Sequence, residues 1–350
     1  MKRIFLGMIS VLSLISCNND AKVEHVERAF YFWKSNNSIS TEEAKHLKDQ
    51  EVRKLYVKLF EVDYTETRGN FPYEKNRLSH YTFDDLDSVT VVPTIFIKNS
   101  IFQYNDEKSL DQLADNIVFL IDKYSKSEYN EKNNIFDYKE IQIDCDWTKT
   151  TKDKYFYLLK KIKSLSGKEL SCTLRLYPYK YPEIMGVPPV DKVTLMCYNL
   201  IKPLTKKTKN SILDIDELKK YLTERKSYPV HIDVALPAFY WTQLYQNNRF
   251  AGLLDLNAND IQSFAKSTEP LWYQVEKDTS FNYGETYLKV GDQVKCEEVK
   301  ASEINEAITL IKKYVDLDAS TTISLFDLDE NTFKHYTDEE ISGFYSSFTK

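Results

Sequence analysis

Eight β-type runs alternate with helix-type runs in a chain of 350 residues, and no Gly/Ser linker or charge block divides them. This pattern predicts an α/β fold, a (β/α)8 TIM-type barrel. Composition agrees with one folded body: 42% of residues are hydrophobic and 29% charged, too apolar for a disordered chain. Two α/β domains are the alternative, and the missing linker argues against them. The expected organisation is a leader over 1–16, a tether over 17–27 and a barrel over 28–350, with an inserted β-hairpin between strands seven and eight at about 250–300.

The first strand is the aromatic run Ala29 to Trp33. A helix over Thr41 to Lys54 follows, opened by a Ser40/Glu43 capping box in which each side chain satisfies a free N–H of the first turn. Strand two runs Leu55 to Tyr64 and strand three Val89 to Lys98. A helix from Ser109 to about Tyr124 carries Leu110, Leu113, Ile117, Leu120 and Ile121 on one side. Strand four spans Glu140 to Thr148, and the helix over Thr151 to Ser166 turns Tyr155, Leu158, Leu159 and Ile162 inward. Strand five, Leu170 to Tyr177, runs into Pro178, Pro182, Pro188 and Pro189, which break most of the helix expected next. Strand six is Lys192 to Asn199, followed by a helix over Ile212 to Arg225, and strand seven is Tyr228 to Leu236. The segments Leu271 to Val275 and Glu285 to Val290 read as the inserted hairpin. Strand eight is Thr321 to Leu328, and a Thr337/Glu340 capping box opens the last helix.

Several chemistries are excluded. With 8 Gly and no G-x-G, the chain lacks a loop to cradle phosphate. A net charge of −6 argues against nucleic acid as a partner. There is no H-E-x-x-H, no G-x-S-x-G and no zinc-type Cys/His cluster, and the 5 His are scattered. No cofactor and no metal site are expected.

Lys2 and Arg3 precede an apolar run from Ile4 to Ile15, too short to span a bilayer and of the length of an export signal. Leu14-Ile15-Ser16-Cys17 resembles a bacterial lipobox. The resemblance implies a lipoprotein signal peptide cleaved before Cys17, which becomes the lipidated first residue and anchors the protein in the cell envelope. Outer-membrane attachment, in the periplasmic or surface leaflet, is the expectation. Cys145, Cys172 and Cys197 fall in strands and Cys296 in the hairpin; buried free thiols are expected there.

Active sites of such barrels form at the carboxyl ends of the strands, and acids and aromatics gather there. Strand one ends at Trp33, strand two at Glu61 and Asp63, strand four at Asp144, Asp146 and Trp147, strand six at Tyr198 and Asn199. Strand seven runs out through Phe239-Tyr240-Trp241, and strand eight through Asp327-Leu328-Asp329-Glu330. Strand periodicity puts Asp144, Asp146 and Thr148 on one face, with Cys145 and Trp147 opposite. Two stacked carboxylates raise each other's proton affinity, which fits one for general acid work. Asp146 and Asp144 are therefore the first catalytic candidates, with Glu61, Asp63, Asp329 or Glu330 as a partner acid. Structural neutralisation of Asp144 by Arg175, His231 or Asp233 is the competing reading. Trp33, Trp241 and Trp272 are candidate platforms for sugar rings, and Asp63 and Arg175 candidate substrate contacts.

The segment Ile141 to Thr148 resembles the D-x-x-D-x-D-x-E signature of family-18 chitinase-like glycoside hydrolases, with Asp144 and Asp146 as its second and third acids. Met196-Cys197-Tyr198-Asn199 is similar to that family's sixth-strand M-x-Y-(D/N). The resemblance implies a glycan-active barrel whose partner is an oligo- or polysaccharide, with Tyr198 and Asn199 as substrate contacts. Thr148 stands where the family has its catalytic Glu, and Ile141 where it has the first acid. The expected function is cleavage of glycosidic bonds by carboxylate acid/base chemistry at the barrel mouth. The alternative is an inactive, lipid-anchored glycan-binding or scaffolding protein.

Overall fold

The computed structural model describes residues 23–34, 38–76, 78, 86, 89–126, 134–203, 208–281 and 286–349. The expected leader and Cys17 lie outside the described residues. No helix among the described residues is long and apolar enough to cross a membrane.

Eight parallel strands form a closed ring: β1 (His25–Phe32), β2 (Lys54–Thr65), β3 (Thr90–Ile97), β4 (Glu140–Asp144), β5 (Glu169–Arg175), β6 (Lys192–Met196), β7 (His231–Pro237) and β8 (Ser320–Phe326). Sequence neighbours pair throughout, and β1 closes the ring between β8 and β2, from Ala29 opposite Lys54 to Phe32 opposite Val57. A ninth strand, Gly69–Tyr73, pairs antiparallel with the far end of β2 and lies outside the ring. The TIM-type barrel read from the sequence is the observed fold.

Both faces of a closed parallel sheet are covered, so the strands are buried along most of their length. Alternation still separates two environments. Side chains such as Ile141, Ile143, Leu170 and Cys172 are fully buried, and Cys172 lies against Tyr155 of the helix Lys152–Ser166, on the outer face of the sheet. Inside the ring several polar side chains bond one another across it, whereas the buried Tyr56 hydroxyl and Ser324 Oγ have no hydrogen-bond partner among the described residues. The Tyr31 hydroxyl donates to Gln142 Oε1 at 2.8 Å, and Gln142 Nε2 donates to Thr194 Oγ1 at 3.1 Å. The amino ends of the strands carry a net of ion pairs, including Lys54 to Glu27 at 2.5 Å and Lys192 to Glu140 at 2.7 Å.

Several boundaries differ from the sequence reading for local reasons. The first helix is Thr41–Asp49, with the expected capping box, and it stops early because Glu51 turns into the left-handed region (φ 54) and Lys54 joins β2. Strand four ends at Asp144, since Thr148 donates its N–H to Thr151 Oγ1 and the chain turns toward the next helix. Strand six ends at Met196; Asn199 adopts φ 54 and donates its N–H to the Ile212 carbonyl. The Pro-rich segment contains two short helices, Leu176–Lys180 and Pro182–Met185.

The insertion between β7 and β8 is larger than one hairpin. Its five antiparallel strands run in the order Arg249–Leu254, Trp241–Gln246, Gln293–Glu297, Trp272–Val275, Ala265–Glu269. Trp272–Val275 pairs with its neighbours in that sheet, whereas Thr286–Leu288 pairs with Thr279–Phe281. Leu244, Phe264, Val275, Leu288 and Val294 give the insertion a small core of its own. Cys145, Cys172, Cys197 and Cys296 are buried free thiols, as expected.

His231, at the start of β7, hydrogen-bonds Asp233 at 3.1 Å and also contacts Asp318. These partners raise its pKa from 6.5 to about 9, Asp233 most, against the opposing effect of burial. Because the folded value is raised, this stabilisation is complete below about pH 6.5 and is lost as pH rises through about 9. Denaturant unfolding at about pH 6 and about pH 10 should show a larger loss for the wild type than for His231→Gln. Equal losses would contradict the assignment.

Candidate active site

The carboxyl ends of the strands form an open mouth, where the described residues line at least two cavities. The first, of about 410 Å³, lies over β4, β5 and β6 and is lined by Asp146, Thr148, Arg175, Tyr198 and Asn199 among others. Asp144 closes β4 on the inner face, 9% exposed, and accepts a 2.6 Å hydrogen bond from Thr173 Oγ1 on β5. Burial pushes its carboxyl up to about 7, with Asp146 and Glu61 adding to the rise and Thr173 and Arg175 opposing it. Asp146 is exposed on the cavity wall, in an ion pair with Arg175 at 3.2 Å. Glu61 faces the same cluster from β2 and pairs with Lys58 at 2.8 Å.

Trp147 points the other way, as alternation predicts: it is buried, stacks on Tyr155 at 5.2 Å and donates its indole N–H to the Met185 carbonyl. Thr148 is exposed at the cavity, its hydroxyl within 3.1 Å of those of Thr150 and Thr151. Asn199 presents a buried Oδ1 without a hydrogen-bond partner among the described residues.

An aromatic floor crosses the mouth. Phe326, the last residue of β8, is its hub: ring centroids lie 5.5 Å from Trp33, 5.2 Å from Tyr198 and 5.5 Å from Phe239. Phe239 reaches Trp241 at 5.9 Å, and the Lys58 ammonium lies 5.6 Å from the Trp33 ring. Trp241 is held from behind. Its indole N–H donates to Glu297 Oε2 at 2.7 Å, and this buried carboxylate also accepts from Ser211, Gln243 and Lys295. Such a fully satisfied buried carboxylate orients its donors, so Glu297 joins the insertion to the loop after β6.

The second cavity, of about 400 Å³, lies between the insertion and the ends of β7 and β8, lined by Trp241, Leu253, Asp255, Asp327 and Asn331 with others. Asp329 also lines it, pairing with Lys34 at 2.8 Å and capping the helix Glu330–His335. Asp327 is partly buried, and burial pushes its carboxyl up to about 7, helped by Asp329 and opposed by Lys34.

Of the sequence candidates, Asp144, Asp146, Glu61 and Arg175 meet in one cluster, Tyr198, Trp33 and Trp241 share the floor, and Asn199 lines the first cavity. Asp63 lies apart on the outer hairpin, where Lys98 at 2.6 Å holds its carboxyl below the usual range. Trp272 is buried in the insertion against Tyr245, at neither cavity. Phe326 and Asp327 were missed as site residues. The period of two along β8, which aligns Ser324 with Phe326, was the available signal for the first.

A scan against protein-family models finds no match, and neither does a search of curated proteins. Among solved structures, the family-18 chitinase ChiB of Flavobacterium johnsoniae superposes with a TM-score of 0.54 at 10% identity, covering 93% of this chain and 95% of its own. A variant family-18 chitinase of Cycas revoluta, solved with (GlcNAc)4, gives 0.50 at 11% identity, with 93% and 100% covered. The fold is that of the family-18 chitinases. At this identity the likeness concerns the barrel alone.

Asp144 supplies a test of the site's electrostatics. A carboxyl whose folded pKa is raised stabilises less as pH climbs from 3.8 to about 7. Asp144→Asn should therefore be more stable than the wild type at about pH 8, by on the order of 4 kcal/mol, with the difference closing toward about pH 4. Unfolding curves showing the variant weaker at both pH values would refute this.

Proposed function

We propose that the protein is a lipid-anchored, glycan-active barrel that cleaves glycosidic bonds with carboxylate chemistry, Asp146 serving in the acid/base pair and Asp144 tuning it. The observation that carries this reading is an aromatic floor, Trp33–Phe326–Tyr198–Phe239–Trp241, with carboxyl groups on either side at the mouth. Sugar rings present apolar C–H faces that stack on such rings, and glycoside hydrolysis needs two carboxyl groups about the bond to be broken. The barrel shared with chitinases supports it. The oligosaccharide in the Cycas structure makes (GlcNAc)4 a rational first ligand.

A second reading, binding without cleavage, is favoured by Thr148, a hydroxyl side chain at the position where the family's signature carries its acid. Mass analysis of products from bacterial and host oligosaccharides, (GlcNAc)4 among them, decides between the two. Cleavage that disappears in Asp146→Asn is the expected result. Cleavage unchanged in that variant excludes its role, and binding with no product favours the second reading. Trp241→Ala should weaken oligosaccharide binding about tenfold in either case, the loss of roughly 1–1.5 kcal/mol of aromatic contact. An unchanged Kd would remove Trp241 from the site.

The anchor is tested separately. Cys17→Ser should move the protein from the membrane to the soluble fraction of the envelope and abolish labelling by a fatty-acid probe. Retention in the membrane would overturn the anchor.

A further inference from the structure

We propose that Asp327 is the second catalytic carboxyl of the site, the proton donor to the leaving sugar, with Asp146 as the base that activates water. This rests on the hydrolytic reading above and assigns its missing partner. Geometry singles out Asp327. It follows the hub of the aromatic floor, Phe326, and lines the second cavity beside the Trp241 ring. The Tyr198 ring, stacked on Phe326 and lining the first cavity, feels the charges of both Asp144 and Asp327. The tyrosine therefore links the Asp144/Asp146 cluster to Asp327 across the mouth.

Three other carboxylates near the strand ends are committed to ammonium groups, and Asp255, which also lines the second cavity, accepts from Asn331 Nδ2 at 3.0 Å. Glu61 is paired with Lys58, Asp63 with Lys98, and Asp329 with Lys34 while capping a helix. Asp327 forms no ion pair among the described residues, because Lys34 is engaged by Asp329 and by Glu43 at 2.5 Å. Burial pushes its carboxyl up to about 7, and of the charged groups bearing on it Asp329 and Glu43 add to the rise while Lys34 opposes it. Asp146 is its complement, exposed and ion-paired with Arg175. Two carboxyl groups with opposed environments make an acid and a base.

In the step, the Asp327 carboxyl gives its proton to the glycosidic oxygen as the bond from the anomeric carbon to that oxygen breaks. A water adds to the anomeric carbon and yields its proton to the Asp146 carboxylate. One water is consumed, two sugars are released, and the proton on Asp146 returns to Asp327 through solvent.

The test uses the full chain in detergent with (GlcNAc)4, the rest of the oligosaccharide panel, and matching aryl glycosides, whose phenolate departs without needing a proton. Asp327→Asn should fold with a melting temperature no lower than that of the wild type, since it removes a carboxyl whose ionised form burial disfavours, and should bind oligosaccharide as the wild type does. It should cleave oligosaccharide at least about 100-fold more slowly, the scale of general acid catalysis, and lose far less on the aryl glycoside. Wild-type activity should fall as pH rises through about 7, and Asp327→Glu should restore part of the rate. Unchanged cleavage by Asp327→Asn, or equal losses on both substrates, overturns the assignment; if Asp146→Asn is inactive in the same assay, the hydrolytic reading survives. A wild type that binds and cleaves nothing overturns Asp327 as an acid and leaves the binding reading standing. Neither binding nor cleavage overturns both.

Discussion

Ring closure through the four residue pairs that join β1 to β2, Ala29–Phe32 against Lys54–Val57, is the constraint on which the rest of the structure depends. It turns a parallel sheet into a barrel, so that every inward side chain faces a shared axis instead of solvent. Inward polar groups then gain from partners across the ring, and Tyr31, Gln142 and Thr194 find them in one another. The same closure brings Trp33 at the end of β1 to Phe326 at the end of β8, neighbours in space although almost 300 residues apart in sequence. Without it there would be no aromatic floor and no single mouth.

The two ends of the barrel use charge differently. At the amino ends, carboxylates and ammonium groups are matched, as in Lys54 with Glu27 and Lys192 with Glu140 and Glu169. At the carboxyl ends two carboxyl groups, Asp144 and Asp327, are left with raised proton affinity beside cavities. Folding gains nothing from such groups, and both stand at the open end, where the proposed chemistry needs them. The insertion contributes by holding Trp241 in place through the buried Glu297.

Much of this was legible in the sequence because the signals are local. The Ser40/Glu43 and Thr337/Glu340 capping boxes sit where they were read, and the stripe Tyr155, Leu158, Leu159 and Ile162 is the buried face of its helix. Alternation at strand four put Asp144 inward and Trp147 outward, and the structure agrees, although Cys145 to Thr148 leave the sheet and Trp147 donates its N–H to the Cys145 carbonyl in a tight turn. What escaped depends on distant partners. The pairing of Trp272 with Lys295 crosses a stretch that itself pairs elsewhere, so proximity in sequence misled the hairpin reading. Asp63 shares a strand end with Glu61, yet its lysine comes from the far end of β3. Asp327 looked like one acid in a run of three, and only folding shows that Asp329 takes the lysine while Asp327 faces a cavity.

The central claim is that the mouth is one glycan site with carboxyl groups on either side of the aromatic floor. Its most direct test is a crystal structure of the protein with a bound oligosaccharide. The account predicts a sugar ring stacked on the Phe326 floor, with the glycosidic oxygen facing Asp327 and the anomeric carbon open to water beside Asp146. Sugar bound away from the mouth, or lying across the insertion with the floor unoccupied, would contradict it.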